Sequence, residues 1–142
     1  MEVIEISNNN TKIEYIYHIA DIHIPNKRDR IVEYEEVFSN LYEYLLDQPK
    51  GIIVIAGDVY NEKTIISSEA LSLFNKFMRI SNIMPTFVIR GNHDMALTGS
   101  QVKDCIESSV EMYDPLKVKY LNATALYKYE NILFGVKHFN DK

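Results

Sequence analysis

Cysteine occurs once in the 142 residues, at Cys105. One cysteine excludes an intramolecular disulfide framework and fits a reducing compartment, and Cys105 itself reads as a small buried hydrophobe rather than a nucleophile. No run approaches the roughly 18 apolar residues that cross a bilayer. The opening MEVIEISNNN is acidic and has no apolar stretch of signal length, so an intracellular chain is expected. Repeats, low-complexity tracts and a recognisable linker are missing too. Positive charge is in short supply: 15 Lys and Arg stand against 20 Asp and Glu, for a net charge of −5. Phosphate contacts need Lys and Arg, so such a chain is a poor generic nucleic-acid binder unless positive charge is local or comes from bound metal. What is present is an ordinary globular balance, 46% hydrophobic and 25% charged, and about one domain of length.

Hydrophobic periodicity divides the chain into alternating elements. KIEYIYHIA (residues 12–20) is β-branched and aromatic and predicts a strand. EVIEI before it alternates, and the intervening SNNN has turn chemistry, so a short N-terminal hairpin is expected. Over residues 29–48, Ile31, Tyr34, Val37, Phe38, Leu41, Tyr44 and Leu45 recur every three or four positions, the spacing of an amphipathic helix ended by Pro49 and Gly51. GIIVIAGD is a continuous apolar run of strand length, as in a parallel strand covered on both faces. A second helix is predicted over residues 67–80, with Ala70, Leu71, Phe74, Phe77 and Met78 inward, and PTFVIRGN is another buried strand. Residues 101–112 predict a helix, and KVKYLN, ALYKYE and NILFGV three short strands, the last two a hairpin around Glu130 and Asn131. This order argues for a layered α/β fold with a parallel core sheet.

In parallel sheets, functional loops gather beyond the carboxyl ends of the strands. The three predicted core strands end in Asp21-Ile22-His23, Gly57-Asp58 and Gly91-Asn92-His93-Asp94. An extended D-x-H puts Asp21 and His23 on one side of the chain, because strand side chains alternate. Asp58 carries two carboxylate oxygens and can serve two cations, Gly57 permits a close approach or an unusual turn, and Asn92 offers a neutral carbonyl oxygen. Mixed carboxylate, amide and imidazole donors suit Mn²⁺, Fe²⁺ or Zn²⁺ better than Ca²⁺. Each motif alone is weak; three in order, each at the end of a core strand, argue for a metal site.

HIADIHI, VIAGDVYNE and VIRGNHDM resemble the D-x-H, G-D and G-N-H-D blocks of the calcineurin-like metallophosphoesterases. Within them, GDVYNEKT, the helix after it and GNHDM are most similar to the SbcD-like DNA double-strand-break repair nucleases and related phage recombination endonuclease subunits. The resemblance covers residues 13–136 and is specific for the superfamily. It implies a two-sheet β-sandwich flanked by helices, of which this chain is the N-terminal part. It also implies two divalent cations, Mn²⁺ for the nuclease branch, with Asp21 and His23 on the first, Asp58 shared and Asn92 on the second. His93 would face the scissile phosphate and protonate or stabilise the leaving oxygen, with Asp94 holding its imidazole. The implied chemistry is two-metal phosphodiester hydrolysis of DNA; small phosphodiesters or phosphomonoesters, or an inactive binding or dimerisation module, are the alternatives. The implied partners are DNA, an SMC-like ATPase subunit and a second copy of the chain.

The pattern breaks downstream. The family completes its site with an isolated histidine and a G-H-x-H pair well downstream; no G-H-x-H occurs before Lys142, and the one later histidine, His138, is a weaker candidate for a ligand than for a loop residue. Residues 1–142 therefore read as the N-terminal portion of a metallophosphoesterase (nuclease) domain, truncated. His138 lacks the G-H-x-H context and reads as a surface loop histidine; His18 reads as a core or sheet residue. Lys27-Arg28-Asp29-Arg30, directly after D-x-H, reads as a solvated helix start ahead of a phosphate grip.

Overall fold

The computed structural model describes residues 2–62, 65–92, 94 and 104–139. The chain opens with strand β1 (Val3–Ser7) and continues with β2 (Ile16–Ile19). A 3-10 turn (Arg28–Arg30) runs straight into helix α1 (Ile31–Leu46). Then come β3 (Ile52–Ala56), α2 (Ser68–Phe77), β4 (Thr86–Ile89), α3 (Cys105–Val110) and β5 (Val118–Tyr120), and finally β6 (Ala125–Tyr129) and β7 (Ile132–Val136). They form two sheets: a four-stranded one in the order β2-β3-β4-β5, parallel throughout, and a three-stranded one in the order β1-β6-β7. The fold is thus the layered α/β sandwich that the element order and the family blocks suggested.

The continuous apolar run of β3 explains its central place. Alternate side chains serve opposite layers: Ile53 and Ile55 pack with the helices, and Ile52 and Val54 pack with the second sheet. On β4, Val88 joins the helical layer while Phe87 and Ile89 join the sandwich interior. There the Phe87 ring lies 4.9 Å from that of Tyr129 and 5.4 Å from that of Phe134. Each fully buried Ile or Phe contributes roughly 1.5–3 kcal/mol, so β3 and β4 are the elements least free to move. The strand ends that carry the candidate ligands are anchored accordingly.

Both later helices are capped by side chains, as their sequences allow. Ser67 Oγ accepts from Ala70 N at 3.0 Å, and Asp104 Oδ1 from Glu107 N at 2.7 Å. On α1, Phe38 and Leu45 are buried, whereas Val37 and Tyr44, on the same sequence stripe, remain 60% and 58% exposed. On α2, Leu71 is also exposed and Leu73 takes the buried place. The α1 stripe is wider than the surface beneath it, because β2 is the edge strand and no strand pairs beyond it among the described residues.

The expected N-terminal hairpin does not form. β1 pairs in parallel with β6, Val3 opposite Leu126, in the other sheet from β2. The polar SNNN stretch is a crossing between sheets rather than a turn. Its backbone is held by Glu130, whose carboxylate accepts from Ser7 Oγ at 2.7 Å and from Asn9 N and Thr11 N at 2.9 Å. Asn131 then clamps Ile13, accepting from its N–H at 2.7 Å and donating to its carbonyl at 3.1 Å. An alternating strand fits either partner, so the pattern alone could not choose. The β6–β7 hairpin does form: Tyr129 opposes Ile132, and Glu130, at φ 53°, makes the turn with Asn131. Among the described residues no helix is long and apolar enough to cross a membrane.

Candidate metal centre

Parallel pairing of β2, β3 and β4 brings their carboxyl ends to one edge, and the loops beyond them stay paired. Asp21 N donates to Gly57 O at 3.2 Å, His23 N to Asp58 O at 3.0 Å and Ile24 N to Val59 O at 2.8 Å. Asn61 N returns a bond to Ile24 O at 3.0 Å. The D-x-H segment is not extended, as the alternation argument supposed. Asp21 and His23 sit at φ 55° and 51°, and Asp58 at φ 51°, all in the left-handed region. A non-glycine residue there costs roughly 1–3 kcal/mol and persists only where its surroundings over-determine it. Among the described residues five non-glycines adopt such a φ, and three of them are the proposed ligands. A left-handed turn, not strand periodicity, makes Asp21 and His23 converge.

Converge they do. One ligand atom from each of Asp21, His23 and Asp58 lies within 4.8 Å of the others. His23 Nε2 is 3.7 Å from Asp21 Oδ1. Asn92 closes the group: the inner atom of its side-chain amide lies 3.2 and 3.1 Å from the two Asp58 carboxylate oxygens. With its NH₂ inward Asn92 donates to that carboxylate; with its carbonyl inward, acceptor faces acceptor, and a cation between them is what satisfies both. Two carboxylates, an imidazole and an amide crowded at one strand edge repel one another less when a divalent cation sits among them. The donor set fits Mn²⁺, Fe²⁺ or Zn²⁺. It gathers three side chains around one point, enough to hold one ion and offer an oxygen to another.

Two glycines allow this closeness. Gly57 is left-handed at φ 82°, and a Cβ on it would lie 2.6 Å from Gly91 Cα. A Cβ on Gly91 would lie 2.1 Å from Asp58 Oδ1 and 2.4 Å from Asp58 N. The G-D and G-N turns therefore lie backbone on backbone, which only glycine permits. Asp94 fastens the same two turns. Its Oδ1 accepts from Val59 N at 3.0 Å and Tyr60 N at 3.3 Å, and its Oδ2 from Gly91 N at 2.8 Å. It is wholly buried, and that burial, only partly offset by these donors, holds its carboxyl above the usual aspartate range. Sequence reasoning placed Asp94 at the site but missed this fastening, and it missed the steric role of Gly91. An aspartate three residues after a turn glycine was the available signal.

His93 lies outside the described residues. His138 is not at the surface: it is 3% exposed, its N–H bonded to Thr124 Oγ1 at 2.9 Å. His18 is a sheet residue, in β2, with its side chain outward. Arg28 and Arg30 pair with Glu69 and Glu33, the latter at 3.0 Å, in keeping with a solvated helix start. Cys105 donates its thiol to Asp94 O at 3.1 Å and packs against the core, and burial pushes the thiol up to about 12, which leaves no thiolate at neutral pH.

Similar proteins bear on this geometry. Over 131 residues the chain is 38% identical to a protein named only as uncharacterized protein R555, from Acanthamoeba polyphaga mimivirus. The match takes in 89% of this chain and 10% of that protein, so the chain spans about a tenth of the length of the curated relative it matches. The sequence model of the calcineurin-like phosphoesterases matches residues 15–141, the stretch holding all three candidate loops, and the chain belongs to that family.

Proposed function

We propose that the chain supplies the first half of a two-cation phosphodiesterase centre acting on DNA, in the manner of the SbcD-like nucleases its blocks resemble. Family membership carries metal-dependent phosphoester hydrolysis with it; DNA as the substrate, Mn²⁺ as the metal and two as the number of ions are the proposal. The observation that carries it is the convergence of Asp21, His23 and Asp58 within 4.8 Å. Asp21 and His23 would hold one ion, Asp58 would be shared and the Asn92 carbonyl would serve the other. When bound, the cations supply Lewis acidity and make water acidic enough to act as a nucleophile near neutral pH. The residues do the rest. The carboxylates alone would repel a phosphodiester, so their first task is to hold cations that reverse the local sign. His93 delivers a proton to the leaving oxygen. Asp94 orients that imidazole with the acceptor capacity its three backbone bonds leave over. An SMC-like ATPase subunit and a second copy of the chain are the partners this reading brings with it.

The test pairs Mn²⁺ titration with cleavage of linear duplex DNA and of a chromogenic phosphodiester. Mn²⁺-dependent DNA cleavage is expected, lost in His93→Ala while metal stays bound, and lost together with the metal in Asp58→Ala. Turnover of the chromogenic diester without cutting of DNA would replace DNA by small phosphodiesters. Stoichiometric Mn²⁺ on Asp58→Ala would refute the sharing role.

A further inference from the structure

Tyr34 belongs to α1 and to no motif, yet it reaches the ligand loop. Its hydroxyl lies 2.9 Å from His23 O and 3.2 Å from Ile22 O. A phenol has one proton to give, so the two carbonyls share it and the nearer one, on His23, takes the larger part. This contact falls on a residue that needs holding. The left-handed φ of 51° at His23 is a conformation a non-glycine residue keeps only where its surroundings impose it. The His23 N–H is tied from the other side, to Asp58 O at 3.0 Å. The peptide units flanking His23 are therefore gripped between the second loop and α1.

The grip is delivered from a fixed point. The Tyr34 ring meets Phe38 edge-on, centroids 5.7 Å apart, and the Arg30 guanidinium lies 5.6 Å from its centroid, itself bonded to Glu33 at 3.0 and 3.1 Å. On its open side the ring borders an apolar groove of about 320 Å³ shared with Ile19, Ile22, Val37 and Leu41. Packing closes only part of the ring's surroundings, so the hydroxyl is what joins helix to loop.

We propose that Tyr34 is a positioning residue for His23: its hydroxyl holds the left-handed turn that keeps the imidazole within reach of Asp21 and Asp58. The inference rests on the metal-centre reading above. Groups behind a ligand commonly change metal affinity by about 10–100-fold when removed, and a partner on the ligand's own backbone belongs at the lower end of that range.

Tyr34→Phe removes one oxygen and keeps the ring. Two measurements on the whole chain decide the matter: Mn²⁺ binding by calorimetry, and amide hydrogen exchange of the metal-free protein. The expected result is Mn²⁺ affinity about tenfold weaker, with exchange at His23 and Ile24 faster by severalfold while β4 amides (Thr86–Ile89) keep their protection. Mn²⁺ affinity within about twofold of wild type overturns the proposal, and so does exchange that rises equally in β4, which would mean general loosening. If the wild-type chain takes up no Mn²⁺, the metal-centre reading fails by itself. Exchange at His23 and Ile24 then decides the positioning alone: unchanged rates refute it, and locally faster rates sustain the hold on the loop.

Discussion

Gly91→Ala is the smallest change that should disable the centre. A Cβ there would lie 2.1 Å from Asp58 Oδ1, 2.7 Å from Asp58 Cγ and 2.4 Å from Asp58 N, where ordinary contact begins at 3.4 Å. The carboxylate could rotate aside, but the backbone nitrogen cannot, so the Asp58 turn must retreat by about 1 Å. Overpacking of this kind costs roughly 1–3 kcal/mol, which in a chain of this size lowers the melting midpoint by about 3–9 °C. The larger consequence is local. A displacement of about 1 Å at a reacting constellation is enough to lose on the order of a hundredfold in rate, and Asp58 is the residue expected to touch both cations. Gly135→Ala is the control: its Cβ would meet only Leu126 Cδ2, at 3.8 Å, within β7. That change should be neutral or stabilising by about 0.5 kcal/mol. Thermal melts and Mn²⁺ calorimetry on the three proteins decide the matter. The expected result is a folded Gly91→Ala protein with Mn²⁺ affinity at least about tenfold weaker. Wild-type affinity in that protein would refute the argument that backbone-on-backbone packing sets the ligand geometry.

Asp94→Ala should leave the N–H groups of Val59, Tyr60 and Gly91 without their acceptor in a fully buried place. At about 1 kcal/mol or more for each orphaned donor, the loss should reach about 3 kcal/mol in urea unfolding. Asp94→Asn keeps one acceptor oxygen and should recover part of it; equal midpoints for Ala and wild type would dismiss the fastening role. Glu130 titrates below the ordinary glutamate range because the Ser7 hydroxyl, then the Thr11 and Asn9 amides, bond its charged form. A lowered folded-state value means stabilisation that is present above the ordinary pKa of about 4.3 and fades as pH falls through the folded one. Wild type should therefore lose stability more steeply below about pH 4 than Glu130→Gln, followed by circular dichroism on acid titration; parallel curves would contradict this.

The parts of this molecule written in short-range pattern were readable. The run of apolar residues at 52–55 needs two covered faces and so announces a central parallel strand. The stripe on α1, the start of α2 near residue 67 and the Glu130–Asn131 turn are local as well. Because the candidate ligand loops follow the strands directly, knowing the strands was enough to bring the three loops to one edge, though not to see how Asp21 and His23 turn toward each other. What stayed hidden depends on partners far away in sequence. β1 chooses β6 across more than a hundred residues, and only then does Glu130 find the N–H groups of Asn9 and Thr11. His138 is buried with its N–H on Thr124, fourteen residues back in the chain. The left-handed turn at Asp21 and His23 was hidden for another reason: neither residue is a glycine, and the conformation is imposed by the second loop rather than preferred by the first.

That imposition says what kind of site this is. Left to itself, the D-x-H segment would relax out of a conformation that costs roughly 1–3 kcal/mol per residue, and the side chains of Asp21 and His23 would separate. Instead the loop is paired onto Asp58 and Val59, the Asp58 turn is pressed into Gly91, and Asp94 binds both to the Gly91 backbone. Asp94 is wholly buried and its oxygens accept from backbone N–H groups, whereas the Asp21 side chain is exposed, so Asp94 serves geometry rather than competing for a ligand. The strain thus sits on the side chains that would touch a cation, and its restraint sits on groups that would not. A chain that folds to hold charges where they repel one another has done the ordering before the ligand arrives, and the free energy of ion binding is then free to appear as affinity.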